Sequence, residues 1–233
     1  MKITPNAPFP QDRRFAIAHG NSGITHESPR WALKDQFHML MHKPDTLLSE
    51  LTPLFDESRG LLTIQQHDNV EIEASVDSPD GRRAINHYFK NILGETDSTG
   101  TPTFVEAPDF CFGNIEAPVV SLVNLASVRQ LSSDTGENID AGRFRGNILI
   151  DEATPWEERN WVGRKGRIGN VSFDVVDETI RCGATEVNPD TNERDLNIPQ
   201  LLRKTYGHLF CGVYLIAKQG GTISTGDALT ISS

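Results

Sequence analysis

The chain has 233 residues and a formal net charge of −10, with charged side chains making up 23% of it. That length buries a full core in one large or two small domains without staples. The negative balance excludes a nucleic-acid partner held by a basic surface, while still permitting a local gathering of arginines.

Cysteine usage and the N-terminus narrow the class further. Cys111, Cys182 and Cys211 are the 3 cysteines. An odd count without CxxC spacing suits neither a disulfide framework nor a tetrahedral zinc site, so a reducing, cytoplasmic setting is expected. Residues 1–11 carry Pro5, Pro8 and Pro10 and no apolar core segment, so they read as a loose arm and no signal peptide is expected. No apolar run has the length needed to cross a bilayer, and no membrane partner is expected.

In chain order, RRFAIAH alternates as a strand with Phe15 and Ile17 on one face, and the Gly20–Gly23 segment signals a turn pairing it with the next strand. Residues 44–56 carry leucines at helical spacing, broken by Pro53. LLTIQ and VEIEASV read as strands about an HDN turn, with Val70, Ile72, Ala74 and Val76 alternating. SPDG signals another turn. RRAINHYFKNIL then reads as an amphipathic helix with Ile85, Tyr88, Phe89 and Ile92 on one side. The polar run GETDSTGTP has no apolar period and marks a boundary, giving a β-rich domain over 1–93, a linker over 94–103 and a second domain over 104–233.

In the second domain Cys111, between Phe110 and Phe112, reads as a buried structural thiol. VSLVNLASVRQLSSDTG reads as a helix capped by Ser121 or Asn124, with Leu122, Leu125, Val128 and Leu131 at helical spacing. RFRGNILI is strand-like and would project Arg143 and Arg145 from one face; Gly146 leaves room for a close backbone approach and Asn147 adds an amide. Trp156 and Trp161 are expected to pack around turns. VSFDVVDE alternates with Val171, Phe173 and Val175 inward and delivers Thr179 to Cys182 at its end, where functional side chains commonly sit. NPDTNERD is a turn-rich loop whose Asp190 and Thr191 either bond a ligand or close their own turn. IPQLLRKTYG makes a short helix, and LFCGVYLIAK is the most apolar strand, with Cys211 in the core. A tight turn and a last strand close the chain.

Chemistry gathers at one place. Arg181 stands beside Cys182, a neighbouring positive charge favours the thiolate, and Gly183 follows. Two arginine-bearing segments plus a thiolate suggest a pocket for an anionic ligand that also offers sulfur to a metal or an electrophile. The competing reading of Cys182 is a small buried hydrophobe. A Cys182–His208 pair would require the two to meet in space. No HExxH pair, P-loop or Rossmann glycine pattern is present.

The runs RFRGN, WVGRKGRIG, TIRC, NPDTNERD and CGVYLIAKQGGTISTGD together resemble the MOSC domain, the family named for the C-terminal domain of molybdenum cofactor sulfurases and similar to amidoxime-reducing molybdoenzymes. The resemblance covers roughly residues 104 to 233. It implies a mostly β (α+β), barrel-like fold, with Cys182 as the family's characteristic cysteine. Asp12-Arg13-Arg14-Phe15 resembles the Asp-Arg motif of the β-barrel domain that usually precedes a MOSC domain, which makes Arg13 either a cofactor arginine or an exposed strand-end arginine. No Tyr-Pro-Val-Lys-like strand occurs before Asp12, so that domain is expected in shortened form.

As site residues the resemblance implies Arg13, Arg145, Asn147 and Arg181 on the phosphate and pterin of a molybdenum cofactor (molybdopterin), Ser121 or Asn124 near it, and Cys182 on the metal. A thiolate is a soft ligand suited to such a metal. The implied reaction is reduction of N-hydroxylated substrates with electrons from a separate electron-transfer protein. The alternatives are a sulfur carrier that accepts persulfide sulfur on Cys182 from a pyridoxal-phosphate-dependent cysteine desulfurase, and a non-catalytic module for anionic ligands.

Overall fold

A computed structural model describes residues 1–232. It divides into two compact units, one formed by Met1–Asp12 with Asp109–Ser233 and the other by Arg13–Pro108. The first unit opens with a short strand, β1 (Lys2–Ile3). The architecture is mostly β with a few helices, as the resemblance implies.

In the Arg13–Pro108 unit the strands are β2 (Phe15–Ala18), β3 (Leu51–Asp56), β4 (Leu61–Gln66), β5 (Asn69–Ser75) and β6 (Thr103–Glu106). They form the antiparallel sheet β3-β4-β5 and the antiparallel pair β2-β6. The helix α1 (Pro79–Leu93) turns Ile85 and Phe89 into a core with Leu62, Ile64, Ala74, Val76 and Phe104. Burying each large apolar side chain contributes about 1.5–3 kcal/mol.

Three local expectations are corrected in this unit. SPDG does not turn: Ser78 Oγ accepts the Gly81 N–H at 3.0 Å and Pro79 starts the helix, so the capping chemistry wins. The leucine run over 44–50 winds as a 3-10 helix, Lys43–Glu50, and Pro53 lies in edge strand β3, where no ladder bond from its nitrogen is needed. Gly20–Ser22 is a 3-10 turn rather than a hairpin, because β2 finds its partner in β6, far along the chain.

The other unit adds β7 (Val120–Asn124), β8 (Ile148–Ile150), β9 (Lys165–Ile168), β10 (Val171–Ile180), β11 (Phe210–Gln219), β12 (Gly221–Thr222) and β13 (Leu229–Ile231). Its main sheet runs β13-β9-β10-β11-β7-β8, and β1 pairs with β12. The β7–β8 pair is parallel, its crossover made through helix α2 (Leu125–Thr135). Every residue of β7 is buried, as suits an inner strand covered on both faces. One face packs Val120, Leu122, Phe173, Val175, Val213 and Leu215. Another cluster joins Val128, Leu131, Phe144 and Cys211 to Ile198 and Leu202 of helix α3 (Ile198–Tyr206).

Two corrections fall here. The expected helix over 120–136 is a strand followed by a helix: Ser121 lies within β7, and Asn124 is the cap, its Oδ1 accepting the Ala126 N–H at 3.0 Å. RFRGNILI is not one strand. Asp140 Oδ1 accepts the Gly142 N–H, Ala141–Phe144 winds as a 3-10 helix, and Arg145 ends it at a left-handed φ of 50°. Arg143 and Arg145 therefore do not share a face; Arg143 is 3% exposed and Arg145 is exposed. Among the described residues no helix is long and apolar enough to cross a membrane.

Candidate functional site

The geometry around Cys182 originates in the last two of three register irregularities in the β10–β11 ladder. Its register shifts between Val175 and Asp177, where β10 carries an extra residue, and again between Glu178 and Ile180, where β11 does. The second extra residue falls at Gly212, whose φ of +84° is a bulge conformation suited to glycine. A Cβ there would lie 2.4 Å from the Leu122 carbonyl oxygen and 3.1 Å from Arg181 Nη2. The bulge thus makes the space that the Arg181 guanidinium enters.

Arg181 is 7% exposed and turned inward. Its Nε donates to the Cys211 carbonyl at 2.7 Å and its Nη1 to the Phe144 carbonyl at 2.8 Å, with the guanidinium 5.1 Å over the Phe144 ring. It ties the bulge to the 3-10 helix bearing Arg143. Its charge also acts on the wrong sulfur for reactivity: Cys211 is fully buried, and burial pushes its thiol up to about 12 despite Arg181. Cys211 is core, as read from the sequence, and Cys111 is buried too.

Cys182 is the one cysteine of intermediate burial. It follows β10 with extended backbone, φ −127°, and leads the 3-10 helix Gly183–Glu186. Its carbonyl accepts both the Thr185 N–H at 3.0 Å and the Thr185 hydroxyl at 2.8 Å, so the cysteine's backbone is pinned. The loop beyond is clamped twice. Arg143 donates to Asp195 at 2.6 and 2.8 Å and to the Glu186 carbonyl at 3.0 Å, and Arg194 donates to the Gly183 carbonyl at 2.7 Å. Burial alone would raise the Asp195 carboxyl, but hydrogen bonds from Asn188 and Arg143 hold it below the usual range. Asn188 Oδ1 accepts the Asp190 N–H at 2.9 Å, a self-closed turn of the kind expected for this loop.

The amides are divided between scaffold and surface. Asn147 Oδ1 accepts both the Ser121 N–H and the Ser121 hydroxyl at 2.8 Å, and Ser121 Oγ accepts the Asn147 N–H at 3.0 Å. That lock orients the Asn147 side chain, whose Nδ2 makes no hydrogen bond among the described residues. Asn124 is fully buried, its Nδ2 donating to the Thr154 carbonyl at 2.8 Å and to Glu158 Oε2 at 2.9 Å. Glu158, itself fully buried, also accepts from Ser127 at 2.8 Å, so the start of α2 already holds a carboxylate. Gly146 packs against Val123, 2.7 Å from where a Cβ would stand, which is the close approach the glycine was read to permit. Arg13 heads β2 in the Arg13–Pro108 unit, at a left-handed φ of 49°.

Sequence reasoning missed the Arg143–Asp195 clamp, the Gly212 bulge and the buried Glu158. Only Gly212 carried a signal, a glycine inside the most apolar strand. It also left open His208, which the fold places at the head of β11. Burial and the nearby Arg159 charge lower its pKa, and its ring stacks on Tyr206 with centroids 5.7 Å apart. No group of three or more His, Cys, Asp or Glu among the described residues is arranged to hold a metal ion.

Comparison with known proteins gives one family. The model of the MOSC domain matches residues 108–230. The molybdenum cofactor sulfurase of Drosophila mojavensis is 31% identical over 121 residues, 48% of this chain and 15% of that protein. That of Drosophila pseudoobscura pseudoobscura is 33% identical over 118 residues, again 48% and 15%, and that of Anopheles gambiae 32% over 106 residues, 40% and 14%. The chain thus spans about 15% of the length of these relatives. The crystal structure of YiiM from Geobacillus stearothermophilus superposes with a TM-score of 0.37 at 20% identity, over 49% of this chain and 54% of that one.

Proposed function

The chain belongs to the MOSC domain family, and from that premise we propose that it binds a molybdenum cofactor, with the Cys182 thiolate as ligand to the metal. The observation that carries this reading is the partly exposed Cys182 on a backbone pinned at the strand end, while both other cysteines are buried.

The residues present fit such a group in kind. A thiolate is a soft donor for a transition metal. Arg145 offers an exposed guanidinium, and the Asn147 Nδ2 hydrogens suit phosphate or pterin acceptors. Ser121 keeps Asn147 oriented, and Arg181 acts from behind by holding the bulge, its Nε and Nη1 spent on backbone carbonyls. When bound, the group would supply two-electron reduction of an N-hydroxylated substrate: the N–O bond breaks, two electrons from a separate electron-transfer protein and two protons enter, and water leaves. Replacing Arg145 by Glu tests the anion-binding half. We expect the pterin fluorescence of the denatured protein to fall at least about ten-fold, the loss expected when a charge-assisted hydrogen bond is replaced by repulsion; unchanged fluorescence contradicts it.

A second reading has its own support, since the relatives above are named molybdenum cofactor sulfurases. In it Cys182 carries sulfur. Its thiolate attacks the terminal sulfur of a persulfide on a pyridoxal-phosphate-dependent cysteine desulfurase, a new S–S bond forms, the donor's S–S bond breaks, and the donor leaves as a thiolate with no net redox change. A mass gain of one sulfur on Cys182 after incubation with such a donor is the expected result.

A further inference from the structure

We propose that residues 36–45 form an acid-released latch on β2, held shut through Asp45 and opened when the three histidines around it take up protons. The segment closes on β2 as an added strand. Ala18 pairs with Thr103 of β6 on one side and with Phe37 on the other. The His19 N–H donates to the Gln36 carbonyl at 2.8 Å, and the His38 N–H donates to the Ile17 carbonyl at 2.9 Å. Phe37, 4% exposed, is the apolar anchor of the closed form.

The Asp45 carboxylate is the centre of the cluster, and it is buried. His38 Nδ1 lies 3.0 Å from Oδ1, the Met39 N–H donates to Oδ2 at 2.8 Å, and His42 Nδ1 lies 3.4 Å from Oδ2. The His19 ring, just past the end of β2, stands 4.5 Å from the His38 ring and 6.4 Å from the His42 ring. The His38 side chain is 5% exposed, and its Nε2 has no hydrogen-bond partner among the described residues. With Nδ1 turned to Asp45, a proton added to His38 has to enter at that buried nitrogen, where an N–H without an acceptor is costly.

Charge counting sets the direction. Closed, the latch holds three imidazoles against one buried carboxylate. Asp45 balances one added proton. A second or third sets imidazolium beside imidazolium, and Asp35, the other acid acting on His19, is exposed and so a weak counter-charge. The behaviour of His19 agrees with this: burial and the charges of His38 and His42 lower it, outweighing Asp45 and Asp35. Released into water, an imidazole titrates at about pH 6.5. Opening is therefore linked to the uptake of two protons beyond the one that Asp45 balances. The closed form is fully favoured above that pH and loses ground as pH falls below it.

Amide hydrogen exchange of the full chain, read residue by residue by NMR and corrected for the intrinsic rate at each pH, tests the latch. Between pH 7 and 5.5, two linked protons lower the protection of the His38 and Met39 amides by about seventy-fold, and one linked proton by about eight-fold. Wild type is expected to show the first and His19→Gln the second. If His19→Gln disturbs the end of β2, His42→Gln, at the more open side of the cluster with 30% exposure, is read in the same way. A variant as steep as wild type overturns the proposal, as does a wild-type protection that does not change with pH. Small additions of urea separate release from unfolding. They should speed exchange at Leu62 and Ile64 in the central strand β4 and leave His38 and Met39 nearly unmoved. The same urea dependence at both sets also overturns the proposal, since the segment then opens only when the whole unit unfolds.

Discussion

One terminal nitrogen of Arg143, Nη2, donates to both carboxylate oxygens of Asp195, at 2.6 and 2.8 Å. Its neighbour Nη1 reaches the Glu186 carbonyl, so one arginine fastens both ends of the loop that follows Cys182. The side chain of Arg143 is 1% exposed and that of Asp195 37%. Breaking a fully buried pair costs about 3–5 kcal/mol, and a part-exposed partner lowers this. We expect Asp195→Asn to cost about 1–2 kcal/mol and Arg143→Leu about 3 kcal/mol in urea unfolding, with faster amide exchange over 187–195 in both.

The Gly212 bulge makes a second prediction. Gly212→Ala must take a φ of +84° with a Cβ 2.4 Å from the Leu122 carbonyl oxygen. Such strain costs about 1–3 kcal/mol, and relief by shifting β11 would move Arg181 and the residue after it. A lower melting temperature together with an altered alkylation rate at Cys182 is expected; a lower melting temperature alone would separate the bulge from the site.

The cysteines should differ in reactivity. With the chain folded, iodoacetamide is expected to modify Cys182 and to spare Cys211, whose thiol is fully buried and pushed up to about 12. Modification of Cys211 at a comparable rate would contradict the packing described for β11.

Acid should weaken the Arg13–Pro108 unit from a defined cluster. His38 Nδ1 lies 3.0 Å from Asp45 Oδ1, the Met39 N–H donates to Asp45 Oδ2 at 2.8 Å, and the His19 ring stands 4.5 Å from that of His38. Burial, then the charges of His38 and His42, lower His19, outweighing Asp45 and Asp35. A histidine lowered on folding takes up its proton more readily when unfolded. Its contribution is therefore complete above the ordinary histidine value of 6.5 and is lost as pH falls from there toward the folded value. Asp45 is also lowered, its hydrogen bonds from His38 and Met39 outweighing burial, so its contribution is present above 3.8 and lost further down. The urea midpoint of this unit should decline below about pH 6.5, and His19→Gln should flatten the upper part of that decline.

Regular patterns were legible where they were local. The alternation in β4, β5 and β10 and the apolar face of α1 needed only neighbours along the chain, and so did the placement of Cys182 just after a strand. The arginines were not legible in the same way. Arg143 looked like a partner of Arg145 on a strand, yet a capping aspartate two residues before Gly142 and an acid fifty-two positions on turned it inward. The last two of the three β10–β11 irregularities offset one another, so neither disturbs the alternation enough to show without the partner strand. Ser121 and Asn124 sat in one apolar run that suits a helix or a buried strand equally, and only the pairing of β7 with β11 and β8 decides between them.

The most direct test of the cofactor reading is elemental analysis for molybdenum on protein from a host that makes the cofactor, comparing wild type with Cys182→Ser. Near-stoichiometric molybdenum in the wild type and its loss in the variant is the predicted result. Molybdenum absent from both, or retained in full by Cys182→Ser, would contradict the assignment of Cys182 as the metal's protein ligand.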